Sequence, residues 1–327
     1  MPKVAIACQG GGSHAAFAAG LLHALLTRHA ASFELQGISG TSGGAMCAAL
    51  VWAGLISGGP PEADQRLMGF WNTLKADAPP DSWMNAFGQA VAHLPFTLEV
   101  SPYWVPAPAA DIMRGWLREH LKLSDLPAPS PSDPKLIVGA TDVEGGNRVV
   151  IHDRDVTEEA LIASAAVPFL YKAVSFGGKN LWDGLFSVNP PIRDLIDQDI
   201  DELWVIQINP QTSDLPTTTS EIIDRRNELS GNVALAQELY FVDKINRMIA
   251  AGDISPVSME EGRYRHIHIR VIDANLGGRD YASKLDRDPA FIDELLAMGG
   301  DRAAEFFTSA SLWPREGALP SKAVRLA

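Results

Sequence analysis

Short apolar runs alternate with longer apolar segments in the first sixty residues, and glycines separate them. Residues 4–8 and 33–39 predict two buried strands, because their apolar runs are too short for helices. Residues 15–26 and 43–55 are long enough and apolar enough for two buried helices. This order of strand, helix, strand and helix is typical of a mainly parallel sheet with helices on its faces. The sequence therefore predicts an α/β fold, a three-layer sandwich with a mainly parallel central sheet and helices on both faces.

The same alternation resumes after residue 134. Two strands joined by a turn are predicted within 135–152, and a helix at 157–166. Residues 173–182 predict a hairpin, because two glycines interrupt a strand-like segment, and this hairpin delivers Asp183 at its exit. Later strands are predicted at 203–208 and 266–272, and later helices at 221–251 and 289–307.

The stretch from 60 to 134 is less regular, with several proline clusters and one clear helix at 110–121. We interpret it as an insertion or cap on a single domain covering 1–327, with a helical C-terminal extension from about 215. Such insertions often carry substrate specificity. Its aromatic side chains have three possible roles: they shape an acyl pocket, contact a lipid surface, or only pack an irregular cap against the rest of the domain. The tryptophans of this stretch are Trp71, Trp83, Trp104 and Trp116.

The charge balance narrows the classes of partner. The chain has 327 residues, with 27 Lys and Arg against 40 Asp and Glu, and a net charge of −13. This argues against nucleic acid, because phosphate contacts need clustered Lys and Arg. It argues less strongly against a membrane surface, which a local patch could contact. No apolar run resembles a secretion signal or a spanning helix, so we expect a cytoplasmic protein that could associate peripherally with membranes.

The two cysteines, Cys8 and Cys47, fall in predicted buried elements, and we interpret both as core residues. Two cysteines are too few for a disulfide scaffold or a cysteine-based zinc site. Asp142 and Glu144 precede two glycines and predict a turn. Since no cluster has the spacing of metal ligands, we expect neither a metal nor another cofactor.

The strongest local motif is G-x-S-x-G, formed by Gly40, Ser42 and Gly44, with Gly43 also lacking a side chain. It lies between a predicted strand and a predicted buried helix. A serine on such a sharp turn needs neighbours without Cβ atoms, so that its Oγ projects into open space. The helix N-terminus behind it favours developing negative charge. This context indicates that Ser42 is a nucleophile.

A second glycine cluster, Gly10, Gly11 and Gly12, follows the first predicted strand. Backbone N–H groups at such a position can bind an anion. The Lys of a phosphate-binding P-loop is absent, and the spacing of a dinucleotide fingerprint is not matched. With a serine nucleophile about thirty residues later, an oxyanion hole is the better use of these amides. The alternative is a tight connection without a binding role.

A serine nucleophile requires a base, and two kinds are open. His266 and His268 lie late enough in the chain for a Ser–acid–His triad, although they alternate along a predicted strand. Asp183 instead lies in an apolar loop punctuated by Gly184 and prolines. A buried carboxylate beside a serine can take its proton directly, because burial increases its basicity.

Taken together, these motifs resemble the patatin-like phospholipase family. The resemblance rests on Gly10 to Gly12, the G-x-S-x-G motif, and Asp183-Gly184, in this order. The stretch 162–169 and the pair Asn189-Pro190 are also similar to the family, so the resemblance covers about residues 3–195. Each motif is weak alone, but their combination at this spacing is specific.

The resemblance implies a Ser-Asp dyad without histidine that hydrolyses acyl esters of lipids. Ser42 would be the nucleophile, Asp183 the proton acceptor, and the amides of Gly10 to Gly12 the oxyanion donors. Two positions depart from the family pattern. His14 stands where the family usually has Arg, and Leu185 stands where it usually has Gly or Ala. Both departures leave the substrate preference open.

We therefore expect a cofactor-free serine acyl hydrolase that acts on an ester with an apolar acyl chain. One alternative is a Ser-His-acid hydrolase that uses His266 or His268. Another is a catalytically weak lipid-binding protein that keeps the fold. Acyl transfer to an acceptor other than water also stays open, and the sequence makes no prediction about the oligomeric state.

Overall fold

The computed structural model describes residues 1–92, 101–104, 109–168, 170–255, 258–259, 264–276, 278–280 and 282–308. Its strands are β1 (Lys3–Cys8), β2 (Glu34–Thr41), β3 (Lys135–Asp142), β4 (Arg148–His152), β5 (Val174–Phe176), β6 (Lys179–Asp183), β7 (Glu202–Gln207) and β8 (His268–Asp273). Its helices are α1 (Ala16–Arg28), α2 (Gly43–Gly58), α3 (Pro60–Leu74), α4 (Asp81–Ala92), α5 (Ala109–Leu121), α6 (Glu158–Ser164), α7 (Arg193–Ile196), α8 (Thr219–Ala251) and α9 (Pro289–Thr308).

The strands form one sheet in the order β5-β6-β3-β2-β1-β7-β8, and β4 pairs with β3. The neighbours from β3 through β2, β1 and β7 to β8 run parallel. The pairs β3–β4, β3–β6 and β5–β6 run antiparallel. The sheet is therefore mainly parallel, as the sequence predicts, with an antiparallel margin.

Strand β1 shows how the sheet separates two layers of helices. Val4, Ile6 and Cys8 belong to a large core that includes α1, α2, α3 and α9. Ala5 and Ala7, which alternate with them, belong to a second core with residues of α7 and α8. Successive side chains of a strand point to opposite faces of its sheet. The predicted three-layer α/β fold is confirmed.

Most elements outside 60–134 lie within two residues of their predicted bounds. Helix α8 begins at a capping box, in which Thr218 accepts a hydrogen bond from the Glu221 amide and Glu221 bonds back to the Thr218 amide. It ends at Gly252, which adopts the left-handed conformation common after a helix (φ 76°). Within the described ranges, no helix is both long enough and apolar enough to cross a membrane.

The stretch from 60 to 134 is more helical than its sequence pattern indicates. It contains α3, α4 and α5, and α3 contributes Phe70 and Trp71 to the large core. Trp83 and Trp104, by contrast, are 71% and 83% exposed. The tryptophans of this stretch therefore have two different environments. Its description as an insertion on a single domain stays a prediction.

Candidate active site

Ser42 lies on the turn between β2 and α2, at the carboxyl ends of the parallel strands. Its φ of 56° and ψ of −128° are unusual for a residue with a side chain. The turn is tight because strand and helix cross at contact distance: a Cβ on Gly40 would lie 2.4 Å from the backbone of Gly44. Ser42 is 8% exposed. The local geometry matches the strained strand-to-helix turn that a nucleophilic serine requires.

Strand β3 brings Asp183 next to this turn. In the β2–β3 ladder, Thr41 pairs with Gly139, and in the β3–β6 ladder, Asp183 pairs with Ala140. Strand β4 occupies the other edge of β3 at the same residues, so β2 and β6 share one edge of β3. Strand β6 therefore continues where β2 ends, and Asp183 follows directly after Thr41 along that edge. The register of the sheet places Asp183 beside Ser42, and both residues line one cavity.

The Asp183 carboxylate is 1% exposed. Its Oδ1 accepts a hydrogen bond from the Leu185 amide at 2.8 Å. Its Oδ2 is buried and has no hydrogen-bond partner within the described ranges, and the Ser42 hydroxyl is close enough to the carboxyl group to lower its pKa. Burial raises the pKa of Asp183 from 3.8 to about 7, while the Leu185 amide and the Ser42 hydroxyl oppose part of that rise. A carboxyl group with this pKa can accept and return a proton near neutral pH.

Ser164, at the end of α6, holds the Ser42 turn in place. Its hydroxyl donates to the Gly139 carbonyl at 2.6 Å and accepts from the Ser42 amide at 2.9 Å. Ser164 is completely buried. This single hydroxyl therefore ties the strained backbone of Ser42 to β3, the strand that also positions Asp183.

The glycine loop after β1 forms another wall of the cavity. Gly12 has a φ of +58°, and a Cβ there would lie 2.3 Å from the Lys284 carbonyl oxygen. The Gly10 amide donates to Asn189 Oδ1 at 2.8 Å, so this amide is already occupied. The amides of Gly11 and Gly12 donate to no acceptor in the described part of the chain. Of the three glycines expected as oxyanion donors, Gly11 and Gly12 keep that capacity, whereas Gly10 serves to fix the loop.

His14, which stands where the family usually has Arg, is 2% exposed. Ser283 Oγ donates to the Asp280 carbonyl and lies 2.8 Å from His14 Nε2, so Nε2 carries the proton of that contact. Burial, together with the charges of Lys284 and Arg279, lowers the pKa of His14 from 6.5 to about 3. His14 is therefore neutral near pH 7 and adds no charge near the glycine loop.

Leu185, the other departure, contributes to the site through its backbone. Its amide holds Asp183 Oδ1, and every residue except proline has such an amide. Leu185 also lines the cavity. Position 184, by contrast, does not accept another residue, because a Cβ on Gly184 would lie 2.7 Å from the Gly139 carbonyl oxygen. The position after Asp183 therefore requires glycine, whereas the next position accepts Leu185, which takes part in lining the cavity.

The cavity has a volume of about 270 Å³, and both apolar and polar residues line it. The apolar lining residues include Met46, Phe70, Trp71, Leu74, Met113 and Leu170. The polar lining residues include Asn209, Asp224, Asn227, Glu228, Lys284 and Arg287. Ser42, Asp183 and the glycine loop line the same cavity. The cavity could thus take a ligand with both an apolar and a polar part.

The charges of the polar lining residues are paired. Lys284 Nζ contacts Asp224 Oδ1 and lies 2.9 Å from Glu228 Oε1. Arg225 lies 3.0 Å from Glu228 on its other side. Asn227 is different, because its Oδ1 is buried and has no hydrogen-bond partner within the described ranges. The Lys284, Asp224 and Glu228 charges are therefore engaged with one another, and the buried Asn227 oxygen is not accessible from the cavity.

Other candidate residues lie outside the catalytic group. His266 and His268 are exposed and do not line the cavity. His268 is the first residue of β8 and so lies at the amino ends of the parallel strands, whereas Ser42 lies at their carboxyl ends. Asp142 stabilises a turn through the Gly145 amide and Lys179. The structure therefore does not bring either late histidine to Ser42.

Cys8 and Cys47 are fully buried, as expected for core residues. Burial raises the pKa of the Cys47 thiol to about 12 and that of Cys8 well above 9.0. Neither thiol is therefore ionised near neutral pH. Among the residues that the structure describes, no group of three His, Cys, Asp or Glu side chains could hold a metal ion.

The sequence alone did not predict the roles of Ser164 and Asn189. Ser164 was identifiable only as an isolated hydroxyl in the apolar stretch 162–169, and its contact with Ser42 spans 122 residues of sequence. Asn189 was noted as part of an Asn-Pro pair, but its bond to the Gly10 amide spans 179 residues. Both residues position parts of the site, and neither has a local sequence signal for its partner.

Comparison with known families agrees with this geometry. A family model described as patatin-like phospholipase matches residues 6–196, which include the glycine loop, Ser42 and Asp183. The chain belongs to the patatin-like phospholipase family. No curated protein sequence matches the chain significantly.

Solved structures with a similar fold are larger than this patatin-like chain. VipD from Legionella pneumophila is 15% identical, with 92% of this chain and 66% of VipD covered and a TM-score of 0.43. The type III effector protein ExoU is 15% identical, with 93% and 52% covered and a TM-score of 0.36. ExoU in complex with SpcU from Pseudomonas aeruginosa is 18% identical, with 73% and 51% covered and a TM-score of 0.34. The chain therefore spans between half and two thirds of the length of these structures.

Proposed function

We propose that this protein is a serine acyl hydrolase that cleaves acyl esters of lipids with a Ser42–Asp183 dyad. The observation that carries the proposal is the register of β3, which brings a buried carboxylate beside a serine on a strained strand-to-helix turn. The partly apolar cavity around the pair supports an ester with an apolar acyl chain. The family match supports lipids as the substrate class.

In the first half-reaction, Ser42 Oγ attacks the ester carbonyl carbon and its proton passes to Asp183 Oδ2. The carbonyl oxygen gains the negative charge, which the amides of Gly11 and Gly12 and the N-terminus of α2 stabilise. When the tetrahedral intermediate collapses, the bond to the alcohol oxygen breaks. The alcohol leaves with the proton from Asp183, and Ser42 carries the acyl group as an ester.

In the second half-reaction, water replaces the alcohol and attacks the acyl-enzyme carbonyl. Asp183 takes a proton from that water, and the intermediate collapses with release of the carboxylic acid. The proton returns to Ser42 Oγ, which restores the starting state. A pKa of about 7 for Asp183 suits both directions of transfer.

The apolar part of the cavity lining supports a place for the acyl chain. The chain would lie against Phe70, Trp71 and Leu74, where apolar contact removes it from water.

A fluorophosphonate probe tests the proposal, because it reacts covalently with activated serines. We expect one adduct on Ser42, with labelling lost in Ser42→Ala. Ser57→Ala is the matched control, since Ser57 lies at the distal end of the same α2 helix and its hydroxyl donates to the Ala53 carbonyl. Hydrolysis of esters of increasing acyl length, measured with the same three proteins, should favour long chains and vanish only in Ser42→Ala.

Two results would contradict the proposal. Absence of an adduct on native protein would indicate a lipid-binding protein without turnover. Loss of labelling in His266→Ala or His268→Ala, with full labelling in Asp183→Asn, would indicate a histidine base instead.

A further inference from the structure

Helix α4 is attached to the body by polar side chains along one face. Asp81 pairs with the Arg287 guanidinium, and Asn85 accepts from the Arg287 amide at 3.0 Å while donating to Asp286 at 2.8 Å. Gln89 donates to the Ala282 carbonyl at 3.0 Å. These anchors are four residues apart, so they lie on one side of the helix. The inward face of α4 is therefore polar and bonded to the segment 282–287.

The opposite face of α4 is apolar and exposed. Trp83 is 71% exposed, Met84 59% and Phe87 72%. A surface helix of a globular protein ordinarily turns its apolar face inward and its polar face to water. Helix α4 does the reverse, and large apolar side chains grouped on one face commonly mark an interaction surface.

A second exposed aromatic group is attached to another segment of the cavity lining. Tyr103 is 59% exposed and Trp104 83% exposed. Tyr103 Oη accepts a hydrogen bond from the Ala173 amide, two residues from Tyr171, which lines the cavity. Helix α4 is attached to the segment 282–287, whose Leu285 also lines the cavity. Both aromatic groups are therefore connected directly to the walls of the candidate active site.

The charge of these surfaces favours one kind of partner. Residues 82–92 and 101–104 contain no Asp, Glu, Lys or Arg in a chain of net charge −13. The charge of Asp81 is neutralised by Arg287. A protein partner recognised by charge would find no complementary group on the outward face of α4, and beside Tyr103 the Lys172 Nζ lies 6.0 Å from the ring centroid. Trp, Tyr, Phe and Met are suited to the boundary between lipid head groups and acyl chains, and a lysine beside them suits the phosphates of the head groups.

We propose that the outward face of α4, formed by Trp83, Met84 and Phe87, docks on a lipid surface and presents the cavity to it. Tyr103 and Trp104, attached to the 171–173 segment of the lining, extend the contact. The identity of the substrate in this proposal rests on the proposed function, but the docking itself does not require turnover. Because the face has no charge, binding should be similar on zwitterionic vesicles at low and at high salt.

Sedimentation with phosphatidylcholine vesicles tests the docking. The full chain should bind, and the double variant Trp83→Ala/Phe87→Ala should lose at least about ten-fold in partitioning, since two large apolar side chains no longer insert. The matched control is Tyr240→Ala/Phe241→Ala on α8, whose aromatic rings are each 48% exposed. This control should bind like the unmodified chain. Trp83 and Phe87 do not line the cavity, so hydrolysis of a soluble short-chain ester should be the same in all three proteins.

The outcomes separate this proposal from the proposed function. Ser42→Ala should bind vesicles normally, so vesicle binding without ester hydrolysis would keep the docking surface and reject the hydrolase. Absence of vesicle binding, or equal binding by both double variants, would overturn the docking proposal. A dimer of the unmodified chain that Trp83→Ala/Phe87→Ala dissociates, measured by sedimentation velocity without lipid, would also overturn it, because a second copy would then cover the face.

Discussion

The candidate active site and helix α4 reverse the usual distribution of polar and apolar groups in opposite ways. At the site, a carboxylate is 1% exposed and its Oδ2 has no well-formed hydrogen bond within the described ranges. On α4, a tryptophan is 71% exposed and a polar face is turned inward. Both arrangements lower the stability or solubility of the protein, and folding alone would favour neither. Exceptions of this kind are expected where function determines the residue.

The two regions are held in place by different forces. Asp183 is fixed by backbone ladders on β3, which depend on the register of the whole sheet. Helix α4 is attached mainly through Asp81, Asn85 and Gln89, whose contacts are side-chain bonds at the surface. A reacting pair needs positions accurate to fractions of an ångström, whereas a docking face needs only exposure. The predictions below test this difference.

The largest expected effect is the loss of activity in Asp183→Asn. An amide cannot accept the Ser42 proton, so kcat should fall by roughly 10³-fold or more. In the unmodified protein, kcat/KM should rise with pH and level off above about pH 7, because Asp183 acts as a base only when deprotonated. Rates across pH 5 to 9 with a soluble ester measure both. A retained rate in Asp183→Asn, or a flat profile through pH 7, would contradict the assignment.

The same substitution should stabilise the fold at high pH. Because the pKa of Asp183 is 3.8 when unfolded and about 7 when folded, the folded state binds more protons between these values. Stability therefore falls as pH rises from about 4 to about 7, by up to about 4 kcal/mol from this one group. Asp183→Asn removes that loss, so its Tm should exceed that of the unmodified protein at pH 8 and approach it at pH 4. Equal Tm differences at both pH values would contradict the linkage.

The candidate active site shows which parts of a site the sequence could predict and which parts it could not. Ser42 and Asp183 are predicted as site residues because each lies in a local pattern, a glycine-flanked turn and a hairpin exit, and the structure brings them to one cavity. The dependence of their geometry on Ser164 and Asn189 was not identified, because those contacts join distant segments of the chain. A local pattern can predict the type of a site residue, but the contacts that orient it depend on the sheet register.

The helices α3 and α4 were missed for physical reasons of their own. Proline clusters are typical of irregular segments, but proline also suits the first turn of a helix, and α3 begins at Pro60. Helix α4 turns its apolar face outward, so a rule that places apolar residues inside indicates the wrong orientation. The layers of the fold were predictable because buried strands and helices follow that rule.

A smaller effect is expected for Ser164→Ala, which tests whether the Ser42 turn needs its tie to β3. The substitution leaves the Ser42 amide and the Gly139 carbonyl without their buried partner, which should lower stability by about 1–3 kcal/mol. The strained Ser42 backbone should then lose its position, and kcat should fall about 10- to 100-fold with little change in KM.

Ser187→Ala is the matched control for this prediction. Ser187 also presents a hydroxyl to β3, through Thr141 and the Ala140 carbonyl, but it does not contact Ser42. Its kcat should stay within about two-fold of the unmodified protein. Ser164→Thr keeps the hydroxyl and should restore most of the rate of fluorophosphonate labelling. Equal losses of kcat in Ser164→Ala and Ser187→Ala would mean that Ser164 contributes to stability and does not position Ser42 for catalysis.

The smallest expected effect is on α4, where Trp83→Ala should change the free energy of unfolding by less than about 0.5 kcal/mol. Trp83 is 71% exposed, so truncation uncovers little surface that folding had buried. The matched comparison is Trp71→Ala, since Trp71 has the same side chain, lies in the same stretch of sequence and is 2% exposed. That substitution should cost about 3–5 kcal/mol. Urea unfolding of both variants measures the two values, and a loss above about 1 kcal/mol in Trp83→Ala would mean that folding itself buries this face, so that it would not be available to a lipid surface.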